Sequence, residues 1–304
     1  MAFAAAIRPP ASASSLPCEY ARIAGGTRSR RDGGPGTPER GPALTATPLA
    51  FAGLDAGAIA LLVVAGLAAG AVNAVAGGGS LISFPALLAA GLPSVAANIT
   101  NAVAVLPGYL GGTIGYRREL EGQRPRAIAL SLTTAAGGVA GAALLLVSSE
   151  SLFEAIVPFL ILGACALLAA QPWISRKLTP PSAAPDAHRS PKLHAAAFAS
   201  AVYGGYFGAG LGIMLLAVLA LALADELQRL NALKGLLSFV IGVASVIVFA
   251  LFGPVRWGAA AIMAVASFAG GQVGVIAARR LPANVLRGLV VVFGVAVAIA
   301  LLVT

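Results

Sequence analysis

From Leu54 onward the chain alternates apolar runs with short polar breaks. The runs cover approximately 54–76, 80–91, 95–115, 127–148 and 152–173, and then 195–210, 211–224, 230–252, 256–278 and 284–303. Apolar, nearly uncharged stretches of about 20 residues cross a bilayer as helices, so the pattern predicts an all-α polytopic membrane protein. The runs 80–91 and 211–224 are exceptions, because at ~1.5 Å per residue neither reaches across ~30 Å of hydrocarbon. They are expected to be short, tilted or re-entrant pieces.

Each short run follows a glycine cluster. Gly77-Gly78-Gly79-Ser80 precedes the first, and a weaker copy, Gly208-Ala209-Gly210-Leu211-Gly212, opens the second about 131 positions later. Glycine is the poorest ordinary residue for a helix interior. A cluster of glycines inside a run therefore predicts an interrupted helix, tolerated at bilayer depth only where the bared backbone is buried in protein or lines a cavity. Interruptions at matching places in two halves point to the binding site of a transporter.

The halves match elsewhere too. Asn98-Ile99-Thr100-Asn101 aligns with Asn231-Ala232-Leu233-Lys234 at an offset of 133, and at the same offset Gly137, Gly138 and Gly141 fall on Gly270, Gly271 and Gly274. Two motifs sharing one offset indicate a duplicated unit: repeat 1 over 54–173, a connection over 174–194 and repeat 2 over 195–304. Five runs per half is an odd number, so the second copy enters the membrane inverted.

Charge fits that inversion. The connections after runs three, five, seven and nine, with the first turns that follow them, collect thirteen basic residues: Arg117, Arg118, Arg124, Arg126, Arg176, Lys177, Arg189, Lys192, Arg229, Lys234, Arg279, Arg280 and Arg287. The opposite side holds Arg256 alone. Short cytoplasmic loops carry the excess of Lys and Arg, so the first group is expected in the cytoplasm of a protein in the plasma membrane. The net charge of +9 thus reflects topology and the tail, not a basic stripe for nucleic acid.

Other chemistry is sparse. Cys18 and Cys165 form no CxxC spacing, and both His188 and His194 fall in or beside one polar connection, so no metal centre and no cofactor are expected. Residues 1–50, rich in Pro, Gly, Ser and Arg, lack the apolar core of a signal peptide. They read as a disordered tail, a transit peptide or a start codon assigned too early.

The expected substrate site is built around the breaks. A half-helix starting after Gly79 would aim free N–H groups and its positive dipole end at an anion, with Ser80 beside it. Asn98, Thr100 and Asn101 open the third run with donors, and they serve equally well as caps. Lys234 is the one clear cation near an apolar run, facing either a bound anion or the aqueous interface, with Asp225 or Glu226 as candidate partners. Asn73 within the first run, and Asn231, Gly208, Gly210 and Gly212 in the second half, complete the set. Tyr109, Tyr116, Tyr203, Tyr206, Trp173 and Trp257 mostly sit near run ends, as interfacial anchors do.

The segment Gly70-Ala71-Val72-Asn73-Ala74-Val75-Ala76-Gly77-Gly78-Gly79-Ser80, followed by Phe84-Pro85-Ala86-Leu87 and Gly91-Leu92-Pro93, resembles the first repeat of the TauE/SafE family of sulfite exporters. So does Asn231-Ala232-Leu233-Lys234 with Phe252-Gly253-Pro254-Val255-Arg256-Trp257, and the resemblance covers residues 54–304. It implies a permease for small sulfur-containing anions such as sulfite, sulfoacetate, thiosulfate or related organosulfonates. Ala209 and Leu211 depart from the fuller glycine pattern. The expected function is therefore secondary transport of such anions by alternating access around a mid-membrane site, with coupling to H+ or Na+ open and no oligomeric state specified. The alternatives are a carrier of another small anion, a cation-coupled carrier, and a non-transporting scaffold or sensor. An enzyme is not expected, because no nucleophile with a base and no paired carboxylates lie within the runs.

Overall fold

Ten α-helices and one 3₁₀ turn account for the residues described by the computed structural model, which are 54–75, 78–177, 187–278 and 283–303. The helices are α1 (Ala56–Val75), α2 (Ser80–Ala89), α3 (Ser94–Gly115), α4 (Arg124–Val147), α5 (Glu150–Lys177), α6 (Pro191–Tyr206), α7 (Leu211–Ala222), α8 (Leu227–Phe252), α9 (Trp257–Ala278) and α10 (Ala283–Val303). The tail to residue 50, Gly77, and the Arg279-Arg280 pair lie outside the described residues. Each apolar run became one helix. The expected 174–194 connection shortens, because α5 continues to Lys177 and α6 starts at Pro191, where proline suits the first turn of a helix.

The chain is an all-helical membrane protein, with no strand among the described residues. α1, α4, α5 and α8 are long and apolar enough to cross a bilayer. The helices wear apolar side chains outward: Leu132, Val147, Phe252, Val265 and Val303 are all exposed, as suits helices surrounded by lipid. Pro85, Pro107, Pro158 and Pro172 sit inside helices, which membrane helices tolerate because neighbouring helices can satisfy the backbone groups a proline frees.

Helix pairings in the two halves answer one another. α9 packs along α1 and α3, while α4 packs along α6 and α8; α5 meets α10, and α3 meets α8. Exchanging α1–α5 with α6–α10 maps each of these contacts onto another or onto itself. Glycine makes the closest crossings possible. A Cβ on Gly70 would stand 2.0 Å from the Ser267 carbonyl oxygen on α9, and one on Gly141 would stand 2.1 Å from the Val202 carbonyl oxygen on α6. Backbones in van der Waals contact maximise dispersion between helices where no hydrophobic effect holds them together.

The remaining contacts fasten helix ends. At the start of α3, Ser94 Oγ and the Val95 N–H both donate to Glu150 Oε1, at 2.6 and 2.9 Å, so a carboxylate sits where the helix dipole is positive. His194 bridges Thr133 Oγ1, 2.6 Å away, and the His188 carbonyl, 3.1 Å away, which explains this histidine structurally. Cys165 is buried, its Sγ 2.5 Å from where a Cβ on Gly294 of α10 would stand, in a packing role.

Candidate functional site

Both glycine clusters interrupt the helical path. α1 ends at Val75, and α2 begins at Ser80 after Gly79, whose N–H donates to Asn73 Oδ1 at 2.8 Å. Asn73 thus ties the break to the helix before it. α6 ends at Tyr206, and Gly208 and Gly210 take left-handed φ values of 80° and 78° before α7 starts at Leu211. Residues with a Cβ rarely adopt that conformation. Tyr203 secures this second break, its hydroxyl donating 2.5 Å to the Ala209 carbonyl; it acts on the backbone and is no interfacial anchor. α2, with 10 residues, and α7, with 12, are both too short to span the hydrocarbon.

A cavity of about 30 Å³ opens between the second break, the start of α2, and the middles of α3 and α8. In this conformation that is room for a water or two, so a larger ligand requires the surrounding helices to part. Ser80, Asn98, Asn101, Tyr109, Ser238 and Ser245 supply its polar wall, and Val105, Phe207, Leu211, Ile241 and Phe249 its apolar wall. Phe207 belongs to an aromatic cluster, its ring centroid 5.6 Å from Phe84 and 6.4 Å from Phe153. The second break is thereby locked to α2 and α5.

The hydrogen bonds show which polar atoms are spent. Asn98 Nδ2 donates to the Tyr206 carbonyl at 2.8 Å, satisfying the last turn of α6. Asn101 Oδ1 accepts from Ser83 Oγ at 2.5 Å, which turns the amide N–H₂ of Asn101 away from that contact. Ser245 Oγ donates to the Gly138 carbonyl at 3.2 Å. Ser238 is 1% exposed, and its hydroxyl has no partner. A buried unsatisfied hydroxyl is costly, and this one lies on the cavity wall.

Of the residues expected at the site, Ser80, Asn98, Asn101 and Gly208 line this cavity. Gly78 and Gly210 instead face α5, a Cβ on each lying 3.3 Å from Leu168 and 3.4 Å from Ala164 respectively. Gly79 is buried against Ala69, and Gly212 is buried in the first turn of α7. Thr100 is buried, but its Oγ1 accepts the Arg256 N–H at 3.1 Å, so it caps the α8–α9 connection. Asn231 and Lys234 lie on α8 outside the cavity wall, Lys234 one helical turn before Ser238 and on the same face.

Asp225 does not partner Lys234. Its carboxylate pairs with the guanidiniums of Arg126 and Arg229, the latter at 3.0 Å, and accepts the Glu226 N–H at 2.8 Å. Partial burial alone would raise the Asp225 pKa, but the Glu226 N–H and the two arginines outweigh it and hold the carboxyl below its usual range. Tyr109, Ser238 and Ser245 were missed from sequence. The signal was periodicity: Asn98, Asn101, Val105 and Tyr109 form one helical stripe, and Lys234, Ser238, Ile241 and Ser245 form another.

The arrangement offers hydroxyl and amide donors, two nearby helix starts, and no charged side chain among the described residues of the wall. Among the described residues there is also no cluster of metal-ligating groups. Such a wall presents donors of the kind a small polar or anionic group requires, and no nucleophile paired with a base lies among its described residues.

The family model described as "Sulfite exporter TauE/SafE" matches residues 62–301 of the chain. "Probable membrane transporter protein ORF9" of Sinorhizobium sp is 29% identical over 80% of this chain and 92% of its own length. A probable membrane transporter protein of Haemophilus influenzae is 28% identical over 71% of this chain and 83% of its own. "Probable membrane transporter protein YfcA" of Escherichia coli K12 is 24% identical over 68% and 75%. No solved structure matches significantly.

Proposed function

From the membership of this chain in the TauE/SafE sulfite exporter family of membrane transporters, we propose that it is a secondary transporter of small sulfur-containing anions working by alternating access around the cavity. The substrates are sulfite and organosulfonates, carried across the plasma membrane. One observation carries the reading: the cavity between the breaks is walled by neutral donors, with the unpartnered Ser238 hydroxyl among them and no carboxylate among the described lining residues. An anion leaving water must exchange its hydration shell for fixed donors, whereas a cation site would require carbonyl or carboxylate oxygens.

Ser80, Asn98 and Asn101 are the proposed ligands from the first half. Ser238, Tyr109 and the Gly208 backbone complete the shell, and Lys234 draws the anion toward it from the next turn of α8. Gly79, Gly210 and Gly212 shape the breaks. The exchange symmetry of the helix pairings, together with thirteen basic residues on one side against Arg256 on the other, supports two inverted repeats with the Arg-rich connections in the cytoplasm.

Flux of labelled sulfite and of isethionate into proteoliposomes containing the purified protein tests the reading, and Asn101→Ala is expected to lower it roughly tenfold. A protein that reconstitutes in folded form and moves no sulfur anion overturns it. Imposed Na+ or proton gradients on the same vesicles read out coupling.

A further inference from the structure

We propose that the cavity is selective by charge number: it carries anions with a single negative charge, such as simple alkanesulfonates or hydrogensulfite, and rejects dianions of similar size, such as sulfate and thiosulfate. This rests on the anion-transport reading above and narrows it.

The argument begins with what the wall can give. Its polar side chains, Ser80, Asn98, Asn101, Tyr109, Ser238 and Ser245, are all neutral. Two of them already donate: Asn98 to the Tyr206 carbonyl and Ser245 to the Gly138 carbonyl. The donors left to a ligand are the Ser238 hydroxyl, buried and unpartnered, the amide N–H₂ of Asn101, whose oxygen is held by Ser83, and the hydroxyls of Ser80 and Tyr109. Hydrogen bonds from neutral donors strengthen roughly in proportion to the charge they meet. The cost of removing an ion from water grows as the square of its charge. A few neutral donors can therefore hold one charge in a dry cavity and fail to hold two.

Lys234 sets the same count. It lies one helical turn from Ser238 on the same face of α8, and no salt bridge joins it to a carboxylate among the described residues. One uncompensated cation beside a neutral cavity is balanced by one negative charge. The starts of α2 and α7 add only partial charges, which fall off within the first helical turn. In the first half the position matching Lys234 is the neutral Asn101, so the duplication supplies one lysine where two would favour a dianion.

Counterflow in proteoliposomes preloaded with methanesulfonate tests this with probes of fixed charge. Isethionate outside should exchange efficiently, and sulfate or thiosulfate should compete at least about tenfold less well. Ser238→Ala should raise the apparent KM for methanesulfonate roughly tenfold while leaving the preference for monoanions over dianions intact, because that preference comes from the neutral wall as a whole. Dianions competing as well as monoanions would overturn the inference and leave anion transport standing. Failure of every anion to exchange would overturn the transport reading and this inference with it.

Discussion

Asn73 and Gly79 close the first break on itself: the side-chain oxygen of one accepts the backbone N–H of the other at 2.8 Å, and Gly79 stands so near Ala69 that a Cβ would lie 2.1 Å from the Ala69 carbonyl oxygen. Asn73 Nδ2 is buried without a partner, so this asparagine is held by the bond its oxygen makes. Asn73→Ala should leave the Gly79 N–H unpaired and destabilise the fold by about 1–3 kcal/mol. Gly79→Ala forces a backbone shift and should cost at least as much. Thermal unfolding of the detergent-solubilised protein, followed by size-exclusion fluorescence, measures both. Unchanged melting of Gly79→Ala would contradict the close approach.

The glycine crossings make a paired prediction. Gly141 meets the backbone of α6, where a Cβ would stand 2.1 Å from the Val202 carbonyl oxygen, whereas Gly163 of α5 has nothing within 4 Å. Gly141→Ala should destabilise by ~1–3 kcal/mol or prevent folding. Gly163→Ala should be neutral or stabilise by up to ~1 kcal/mol, since alanine restricts the unfolded chain more than glycine does. The same melting assay separates the two, and equal effects would mean that the α4–α6 crossing is looser than described.

Most of this fold was legible because a membrane helix must satisfy its own backbone, so each apolar run could become only one thing. The duplicated glycines were legible for the same reason. The cavity wall was legible where it touched the breaks, as at Ser80, Asn98 and Gly208. Thr100 shows what was missing. Adjacent helical residues point about 100° apart, so Asn98 and Asn101 share a face while Thr100 turns to the α8–α9 connection. Tyr109 and Ser238 continue the stripes of Asn98 and Lys234, but that these two stripes face one cavity follows only from the packing of α3 on α8. Asp225 binds Arg126 at a sequence separation of 99, a partnership no local pattern announces.

That ion pair links the start of α4 to the start of α8 and should leave a pH signature. The folded-state pKa of Asp225 lies below its ordinary 3.8, so its stabilisation is complete above that value and is lost as the pH falls below it, through the lower folded-state pKa. Asp225→Asn removes the charge and keeps the shape. The variant should melt below the parent at neutral pH and converge with it once the pH has fallen below the folded-state pKa of Asp225. A gap that persisted undiminished in acid would show that the carboxylate charge is not what α4 and α8 share.

Lys234 offers the sharpest functional prediction, because its charge can be altered without breaking a salt bridge among the described residues. From one helical turn beyond Ser238, a unit charge should act on an anion in the cavity by on the order of 2 kcal/mol at an effective dielectric of ~20. Lys234→Ala is therefore expected to lower kcat/KM for an organosulfonate by about tenfold or more, and Lys234→Glu further, since it replaces attraction with repulsion. Lys234→Arg keeps the charge and should retain most of the flux. An interfacial lysine reaching water would behave differently, because solvent would screen it and raised salt would erase the difference between parent and variant. A flux deficit in Lys234→Ala that survives high ionic strength, with melting unchanged, places the charge at the anion's path. Undiminished flux in Lys234→Ala assigns this residue to the interface and leaves the neutral donors of α2, α3 and α8 to bind the anion alone.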